Sequence, residues 1–225
     1  NLHEPFFDDE DKNILNKVID SSYVSSNGEY IEKFEKNISN FTRCKYSVLT
    51  SSGTSALHLA LIALDVEEGQ EVLTQPLTFV ATCNAIAYCN ASPVFIDISL
   101  KTLGMCPEKL ENWLKRNTFQ KNKKCINKNS SNIVSTCLPM HTFGNPIEID
   151  KISSVCRKYN INLIEDCAES LGSFYKKKHT GTIGKIGTFS FNGNKIITSG
   201  GGGAIITNNK KIAKKIKHLS TTSKL

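Results

Sequence analysis

The sequence predicts an α/β protein with three layers, in which helices cover both faces of a mostly parallel mixed sheet. From Lys45 onward, short apolar segments of strand length alternate with longer segments whose apolar residues recur every three to four positions. Alternation of this kind favours right-handed crossovers between parallel strands. A chain of 225 residues with 39% hydrophobic residues can also bury a full core.

The first 44 residues are predicted to form a helical segment that precedes a larger domain at 45–225. The acidic run DDED begins a helix that extends to about Asp20, because acidic side chains are favoured near the positive end of a helix dipole. A polar loop at 21–30 separates it from a second helix. The apolar residues of that helix predict one face packed on the core; they are Ile31, Phe34, Ile38 and Phe41.

The larger domain is predicted to contain strands and helices in alternation. The predicted strands are at 45–50, 71–74, 93–98, 132–138, 162–166 and 204–207, and the predicted helices between them are at 55–64, 78–89, 107–116 and 148–159. The run at 117–132 is polar, basic and without periodicity, which predicts a surface excursion. A basic helix beginning near Lys210 closes the chain.

Composition argues against several functional classes. The net charge of +7 comes mainly from lysine runs at 121–128, 176–178 and 210–217, which favour solvated faces over nucleic-acid binding because arginine and aromatic residues are not interleaved with them. The longest apolar windows are about half the ~20 residues that a membrane span needs. Eight cysteines without a C-x-x-C pair favour a reducing, cytoplasmic setting and argue against a disulfide framework or a metal site.

An acid pair and a lysine are the central candidates for chemistry. Asp166 closes the strand that contains Leu163 and Ile164, and Lys195 follows 29 residues later, after Ser190 and a polar turn. In an open α/β sheet, ligands bind outside the carboxyl ends of the strands. The sequence therefore predicts that the Asp166 carboxylate and the Lys195 amine face one site.

The segment Ser51–Ser55, between a strand and a helix, is a candidate phosphate site. Gly53 permits a tight turn, and Thr54 and Ser55 bring hydroxyls and free backbone N–H groups to the positive end of a helix. An ordinary helix N-cap accounts for the same residues equally well. With Asp166 and Lys195, however, these groups match the needs of pyridoxal phosphate: an anion site, a carboxylate for the ring nitrogen and a lysine for covalent attachment.

Three segments carry a resemblance to a known family. They are EDCAESLGSFYKKKHTGTIGKIGTFSFNGNKIITSGGGGAIITN, SSGTSALHLAL and LTQPLTFVATCNAI. Together they closely resemble the DegT/DnrJ/EryC1/StrS family of pyridoxal-phosphate sugar aminotransferases, which have the aspartate-aminotransferase-like type I fold. FNGNKIIT and LPMHTFGNP are most similar to the nucleotide-sugar 4-aminotransferases of the legionaminic acid, bacillosamine and perosamine pathways.

The resemblance implies roles for individual residues. Lys195 would carry the cofactor, and Asp166 would hold its ring nitrogen. The phosphate would be bound by Ser190 with Thr54 and Ser55, near Gly53. Phe79 would stack on the pyridine face, although without the resemblance it is more typical of a core residue.

Three further positions are candidates for contacts with the cofactor or the substrate. Glu169 falls where many members have Gln beside the phenolic oxygen of the cofactor, so its carboxylate would have to be protonated or turned aside. His141, in PMHTFG, and Asn194, in the turn before Lys195, are candidates for the sugar pocket. A structural role for His141 is equally compatible with the sequence.

The resemblance also implies an activity, namely transfer of an amino group from glutamate to the C4 keto group of a nucleotide-linked 4-keto-6-deoxy sugar, for bacterial glycan synthesis. It implies a homodimer and a small C-terminal domain that this sequence lacks. A truncated, non-catalytic remnant that binds cofactor or a partner is the alternative. A dehydratase of the same fold is disfavoured, because such relatives have histidine where Lys195 stands.

Overall fold

The computed structural model describes residues 4–23 and 25–221. Its strands are β1 (Tyr46–Thr50), β2 (Glu71–Thr74), β3 (Ser92–Phe95), β4 (Thr118–Lys121), β5 (Lys124–Asn127), β6 (Val134–Cys137), β7 (Asn162–Asp166), β8 (Phe174–Tyr175), β9 (Lys178–His179), β10 (Ile186–Ser190) and β11 (Gly203–Thr207). Its helices are α1 (Asp9–Asp20), α2 (Glu29–Thr42), α3 (Gly53–Ala63), α4 (Val80–Tyr88), α5 (Pro107–Asn117), α6 (Ile149–Lys158) and α7 (Lys210–Ser220). The predicted loop at 21–30 and the predicted C-terminal basic segment extend into residues outside the described ranges.

Seven of the described strands form one sheet in the order β1-β11-β10-β7-β6-β2-β3. Its neighbouring strands are parallel except at β11, which is antiparallel to both β1 and β10. The predicted mostly parallel mixed sheet is therefore confirmed. Its central strands β7 and β10 end side by side, with Asp166 paired with Thr188.

The two faces of the sheet are covered by different helices. Val72 and Ile164 belong to an apolar cluster that includes residues of α3, α4 and α7. Their chain neighbours Leu73 and Leu163 belong to a second cluster, with residues of α5 and α6. Because successive side chains of a strand point to opposite faces, the sheet is the middle of three layers.

The N-terminal part of the chain contains the two helices α1 and α2. The side chain of Asp8 caps α1 by accepting backbone N–H groups of its first turn, and the side chain of Asp11 accepts from the backbone of Asp8 in return. The predicted apolar face of α2 is only partly buried: Ile38 is 4% exposed, whereas Phe41 is 56% exposed and meets the His179 ring edge-on. The proposed domain boundary at residue 44 stays a prediction.

The excursion predicted at 117–132 is more ordered than its sequence suggests. It contains the antiparallel hairpin of β4 and β5, whose turn residues Asn122 and Lys123 have φ angles of 51° and 61°. Left-handed turns of this kind match the twist of a two-stranded ribbon. Asn127 and Ser130 attach the segment to the start of β2, because they donate to the two carboxylate oxygens of Glu71 at 2.8 and 2.6 Å.

No helix in the described part of the chain has the length and apolarity to cross a membrane. The eight cysteines are free thiols, and five of them are buried.

Candidate active site

A cavity of about 320 Å³ lies at the carboxyl ends of β7 and β10. Most of the residues predicted for the site line it: Gly53, Thr54, Phe79, Asp166, Glu169, Ser190, Asn194 and Lys195. Ser55 and His141 do not belong to its lining.

A second cavity, of about 500 Å³, lies between α2, α3 and α7. It is larger, but its lysine, Lys217, already forms an ion pair with Glu35 at 2.8 Å, and the Glu35 carboxylate also accepts the backbone N–H of Leu49. We assign the chemistry to the smaller cavity, where a second carboxylate, Asp166, accompanies the ion pair of Lys195 and Glu169.

Asp166 is held rigidly at the end of β7, with 2% of its surface exposed. Its carboxylate oxygens accept the backbone N–H of Ala168 at 3.1 Å and the hydroxyl of Thr82 at 2.9 Å. Burial raises the pKa of Asp166, and the hydrogen bonds from Ala168 and Thr82 and the charge of Lys195 offset only part of this rise. The site therefore contains a buried carboxylate that a further cation would stabilise.

Lys195 reaches the cavity from a tight turn after β10. Its backbone N–H donates to Asn192 at 2.9 Å, and its side chain is 12% exposed. The ammonium lies 3.4 Å from a carboxylate oxygen of Glu169 and 5.8 Å from the centre of the Phe79 ring. The prediction that Asp166 and Lys195 share one site therefore agrees with the lining of this cavity.

Glu169 and Phe79 have surroundings that the sequence left open. The second oxygen of Glu169 accepts the backbone N–H of Phe143 at 2.9 Å, so the carboxylate is turned towards Lys195 rather than away from the cavity. Phe79 is 62% exposed and lines the cavity, so it is not a core residue of this chain.

The N-terminus of α3 contains the helix N-cap and also lines the cavity, so it agrees with both interpretations of its Ser-rich turn, an ordinary N-cap and a phosphate site. Ser52 is the N-cap, and its hydroxyl accepts the N–H of Ser55 at 3.0 Å. Gly53 packs so closely on Ser190 that a Cβ there would lie 2.7 Å from the Ser190 Cβ. Gly53 thus brings the helix end next to Ser190, and Thr54 lines the same cavity.

Ser55 requires a correction. Its hydroxyl lies within hydrogen-bond distance of the hydroxyls of Ser51 and Ser52, at 3.1 and 2.9 Å, and it lines the larger cavity on the other side of the turn. The predicted contact of the Ser55 hydroxyl with a phosphate is therefore not supported by this geometry. Ser52, which the sequence analysis passed over, lines the smaller cavity instead.

His141 also requires a correction, because it is fully buried and both ring nitrogens have partners. Its Nδ1 accepts the N–H of Ile147 at 3.2 Å, so Nε2 carries the proton that is donated to Glu165 at 3.0 Å. The chain itself excludes substrate from this ring, and we assign His141 a structural role.

Glu165 points away from the cavity and completes this buried pair. Each of its oxygens accepts two hydrogen bonds. One accepts the ring Nε2–H of His141 and the backbone N–H of Gly181, and the other accepts the backbone N–H groups of Ile183 and Gly184. Burial raises the pKa of Glu165, but these bonds outweigh it and hold the pKa below its usual value. The Cys167 thiol lies within 4.8 Å of this pair, but the saturated carboxylate has no oxygen position left for a metal ion.

Thr82 is a site residue that the sequence analysis missed. It lies on α4, is fully buried, and its hydroxyl is within 2.8 Å of that of Thr78 as well as donating to Asp166. A buried threonine on an apolar helix is typical of packing, so no local pattern distinguishes it.

The sequence matches the family described as DegT/DnrJ/EryC1/StrS aminotransferase over residues 5–224. GDP-perosamine synthase of Escherichia coli O157:H7 is 38% identical over 88% of this chain and 50% of its own length. The putative pyridoxal phosphate-dependent aminotransferase EpsN of Bacillus subtilis is 37% identical over 88% of this chain and 48% of its own length.

The fold is likewise similar to that of a solved relative. The aminotransferase from Psychrobacter cryohalolentis superposes with a TM-score of 0.84 at 30% identity, covering 95% of this chain and 51% of that protein. The chain thus spans about half the length of the relatives that it matches. With the match over residues 5–224, the chain belongs to the DegT/DnrJ/EryC1/StrS aminotransferase family.

Proposed function

We propose that this chain carries the cofactor site of a pyridoxal phosphate-dependent aminotransferase that acts on a nucleotide-linked sugar. The observation that carries the proposal is the cavity in which a buried acid, Asp166, and an amine, Lys195, both face the space next to a helix N-terminus. The names of GDP-perosamine synthase and of EpsN support the reaction class and the cofactor.

The residues of the cavity fit this cofactor. The Asp166 carboxylate is buried with a raised pKa, and the positive charge of a protonated ring nitrogen would offset the cost of that burial. Phe79 offers an exposed aromatic face. The N-terminus of α3, with Ser52, Gly53 and Thr54, offers the backbone N–H groups and hydroxyl that suit a phosphate.

Bound pyridoxal phosphate would supply an electron sink that stabilises the negative charge left when a Cα proton departs. Lys195 would hold the cofactor covalently and, when released, move a proton between carbon atoms. Thr82 and Ala168 fix the orientation of the Asp166 carboxylate, which would hold the protonated ring nitrogen. Ser190, close against Gly53, would complete the phosphate site.

The finer assignments are also part of the proposal. Glutamate would be the amino donor, and the acceptor would be the C4 keto group of a 4-keto-6-deoxy sugar attached to a nucleotide, as the similarity to GDP-perosamine synthase suggests. Asn194, at the edge of the cavity, is the candidate sugar contact of this chain. A homodimer in the cytoplasm, with a small C-terminal domain in the whole protein, agrees with the family resemblance.

Covalent labelling tests the cofactor site. The chain is incubated with pyridoxal phosphate, reduced with borohydride and digested, and we expect the label on the peptide that contains Lys195. Lys195→Arg should abolish that label, whereas Lys185→Arg should retain it, because Lys185 lies outside the cavity and donates to Asn162. Label on another lysine of the folded chain would contradict the proposal. Turnover of glutamate with a 4-keto nucleotide sugar separates a complete enzyme from a non-catalytic remnant.

A further inference from the structure

Glu169 has two fixed partners within the candidate site. One oxygen lies 3.4 Å from the Lys195 ammonium, and the other accepts the backbone N–H of Phe143 at 2.9 Å. The Lys195 and Glu169 side chains are 12% and 26% exposed, so this ion pair is partly shielded from water. Asp166 is the other charged group that faces the pair, and its oxygens are occupied by Thr82 and Ala168.

The donor to Glu169 comes from a strained turn. Phe143 has a φ angle of 54°, a left-handed conformation that aromatic residues rarely adopt. Its side chain is 71% exposed, so packing of the ring does not account for the conformation. Strain of this kind persists only where surrounding contacts impose it.

Contacts on both sides of Phe143 impose that conformation. The Thr142 hydroxyl accepts from Gln75 at 2.9 Å, and the Ser173 hydroxyl donates to the Gly144 carbonyl at 2.8 Å. The backbone N–H of Gly144 donates to His141 at 3.1 Å. The visible consequence of the strain is the direction of the Phe143 N–H, which orients Glu169 towards Lys195.

We propose that Glu169 is a catalytic residue that accepts the ammonium proton of Lys195, and that the Phe143 N–H is its positioning group. The N–H bond of the ammonium breaks, its electron pair stays on nitrogen, and the proton forms an O–H bond with Glu169. Ammonium and carboxylate become amine and carboxylic acid, with no change in total charge. The amine is the form that attacks a carbonyl carbon. This inference rests on the proposed function, in which Lys195 binds the cofactor.

The test compares two readouts in Glu169→Gln, which retains an oxygen for the Phe143 N–H but cannot accept the proton. The first readout is the rate at which an amine reagent labels Lys195 near neutral pH, with exposed Lys214 as the internal reference. The second is the rate at which pyridoxal phosphate attaches to Lys195 near neutral pH. We expect both rates to fall, because both reactions need the free amine that forms when Glu169 accepts the proton, and attachment should become about 100-fold slower or more, as for loss of a general base.

The direction of both changes separates the proposed role from simple charge pairing. If Glu169 only held the ammonium in place, its removal would free the amine and reduce repulsion of the anionic cofactor, so attachment would be faster. Attachment in Glu169→Gln at the wild-type rate or faster would overturn the inference. If the wild-type chain attached no cofactor at Lys195, the proposed function itself would fail, and the inference with it.

A second variant guards against an indirect effect on folding. Glu169→Ala leaves space for a small acid, and we expect formate to accelerate cofactor attachment in this variant, while chloride at the same ionic strength does not. Equal rates in formate and chloride would contradict the proton transfer. Glu68→Ala is the matched control, because it removes an exposed carboxylate outside the cavity; we expect the wild-type rate.

Discussion

The hydroxyl of Thr82 donates to the buried carboxylate of Asp166 at 2.9 Å, across 84 positions of sequence. This contact joins α4 to the end of β7, two of the elements whose residues line the cavity. Because the Ala168 N–H occupies the other oxygen, the two donors fix the plane of the carboxylate. The direction in which Asp166 acts is therefore determined by a residue on another helix.

Removal of that hydroxyl should weaken cofactor binding without unfolding the chain. Thr82→Val retains the shape of the side chain but leaves one oxygen of a buried carboxylate without its donor, which costs about 1–3 kcal/mol. We expect the dissociation constant for pyridoxal phosphate, measured by fluorescence titration, to rise about 5- to 150-fold at this cost. Thr82→Ser retains the hydroxyl and is the control. Equal affinity of Thr82→Val and the wild type would contradict the role given to Thr82.

The stability of the cofactor-free chain should depend on pH through Asp166. Its folded pKa is raised by burial, so the folded chain keeps this proton to higher pH than the unfolded chain does. Ionisation of Asp166 thus removes stability as the pH rises from the pKa of aspartate in the unfolded chain, about 3.9, through the pKa of Asp166 in the folded chain.

Asp166→Asn isolates this effect from other titrating groups. We expect the cofactor-free variant to gain stability over the wild type as pH rises through that window, measured by urea unfolding at a series of pH values. The same variant should bind pyridoxal phosphate more weakly. A stability difference that does not change with pH would contradict the linkage.

Gly53 should tolerate no side chain. A Cβ at this position would lie 2.7 Å from the Cβ and 2.9 Å from the hydroxyl oxygen of Ser190, so Gly53→Ala must push the end of α3 away from β10. We expect about 1–3 kcal/mol of lost stability from this overpacking, together with weaker cofactor binding, measured by urea unfolding and fluorescence titration. Gly193→Ala is the control, because a Cβ there meets no atom within 4 Å. Similar losses in both variants would argue against a specific role for Gly53.

His141 should affect stability and not sugar selectivity. His141→Leu removes one donor from the buried Glu165 carboxylate, and disruption of a buried pair of this kind costs about 3–5 kcal/mol. We expect a lower urea midpoint for His141→Leu and an unchanged midpoint for Asn194→Ala, whose side chain lies at an exposed turn. An unchanged midpoint for His141→Leu would contradict the structural role.

Much of the fold follows from local sequence patterns. The change from helical to alternating periodicity near Lys45 predicts the sheet, and the acid that closes β7 together with a lysine after β10 predicts the site. The site prediction depends on an acid and a lysine, two residue types that by themselves restrict the possible chemistry. The hairpin of β4 and β5 was missed because its anchor, Glu71, lies far from it in sequence.

Side-chain direction is what the sequence could not determine. Ser52 and Ser55 are alike in type and differ only in which cavity they line, because helix geometry turns Ser55 to the other side. The burial of His141 depends on Glu165 and on backbone N–H groups of the 181–184 loop. The Phe143 N–H has no sequence signal, since any residue in that turn has one.

A crystal structure of the chain with pyridoxal phosphate tests the central claim most directly. We expect one ring in the 320 Å³ cavity, with its nitrogen about 3 Å from an Asp166 oxygen and its carbonyl-derived carbon bonded to the Lys195 nitrogen. A ring bonded to a different lysine, or with its nitrogen turned away from Asp166, would contradict the account.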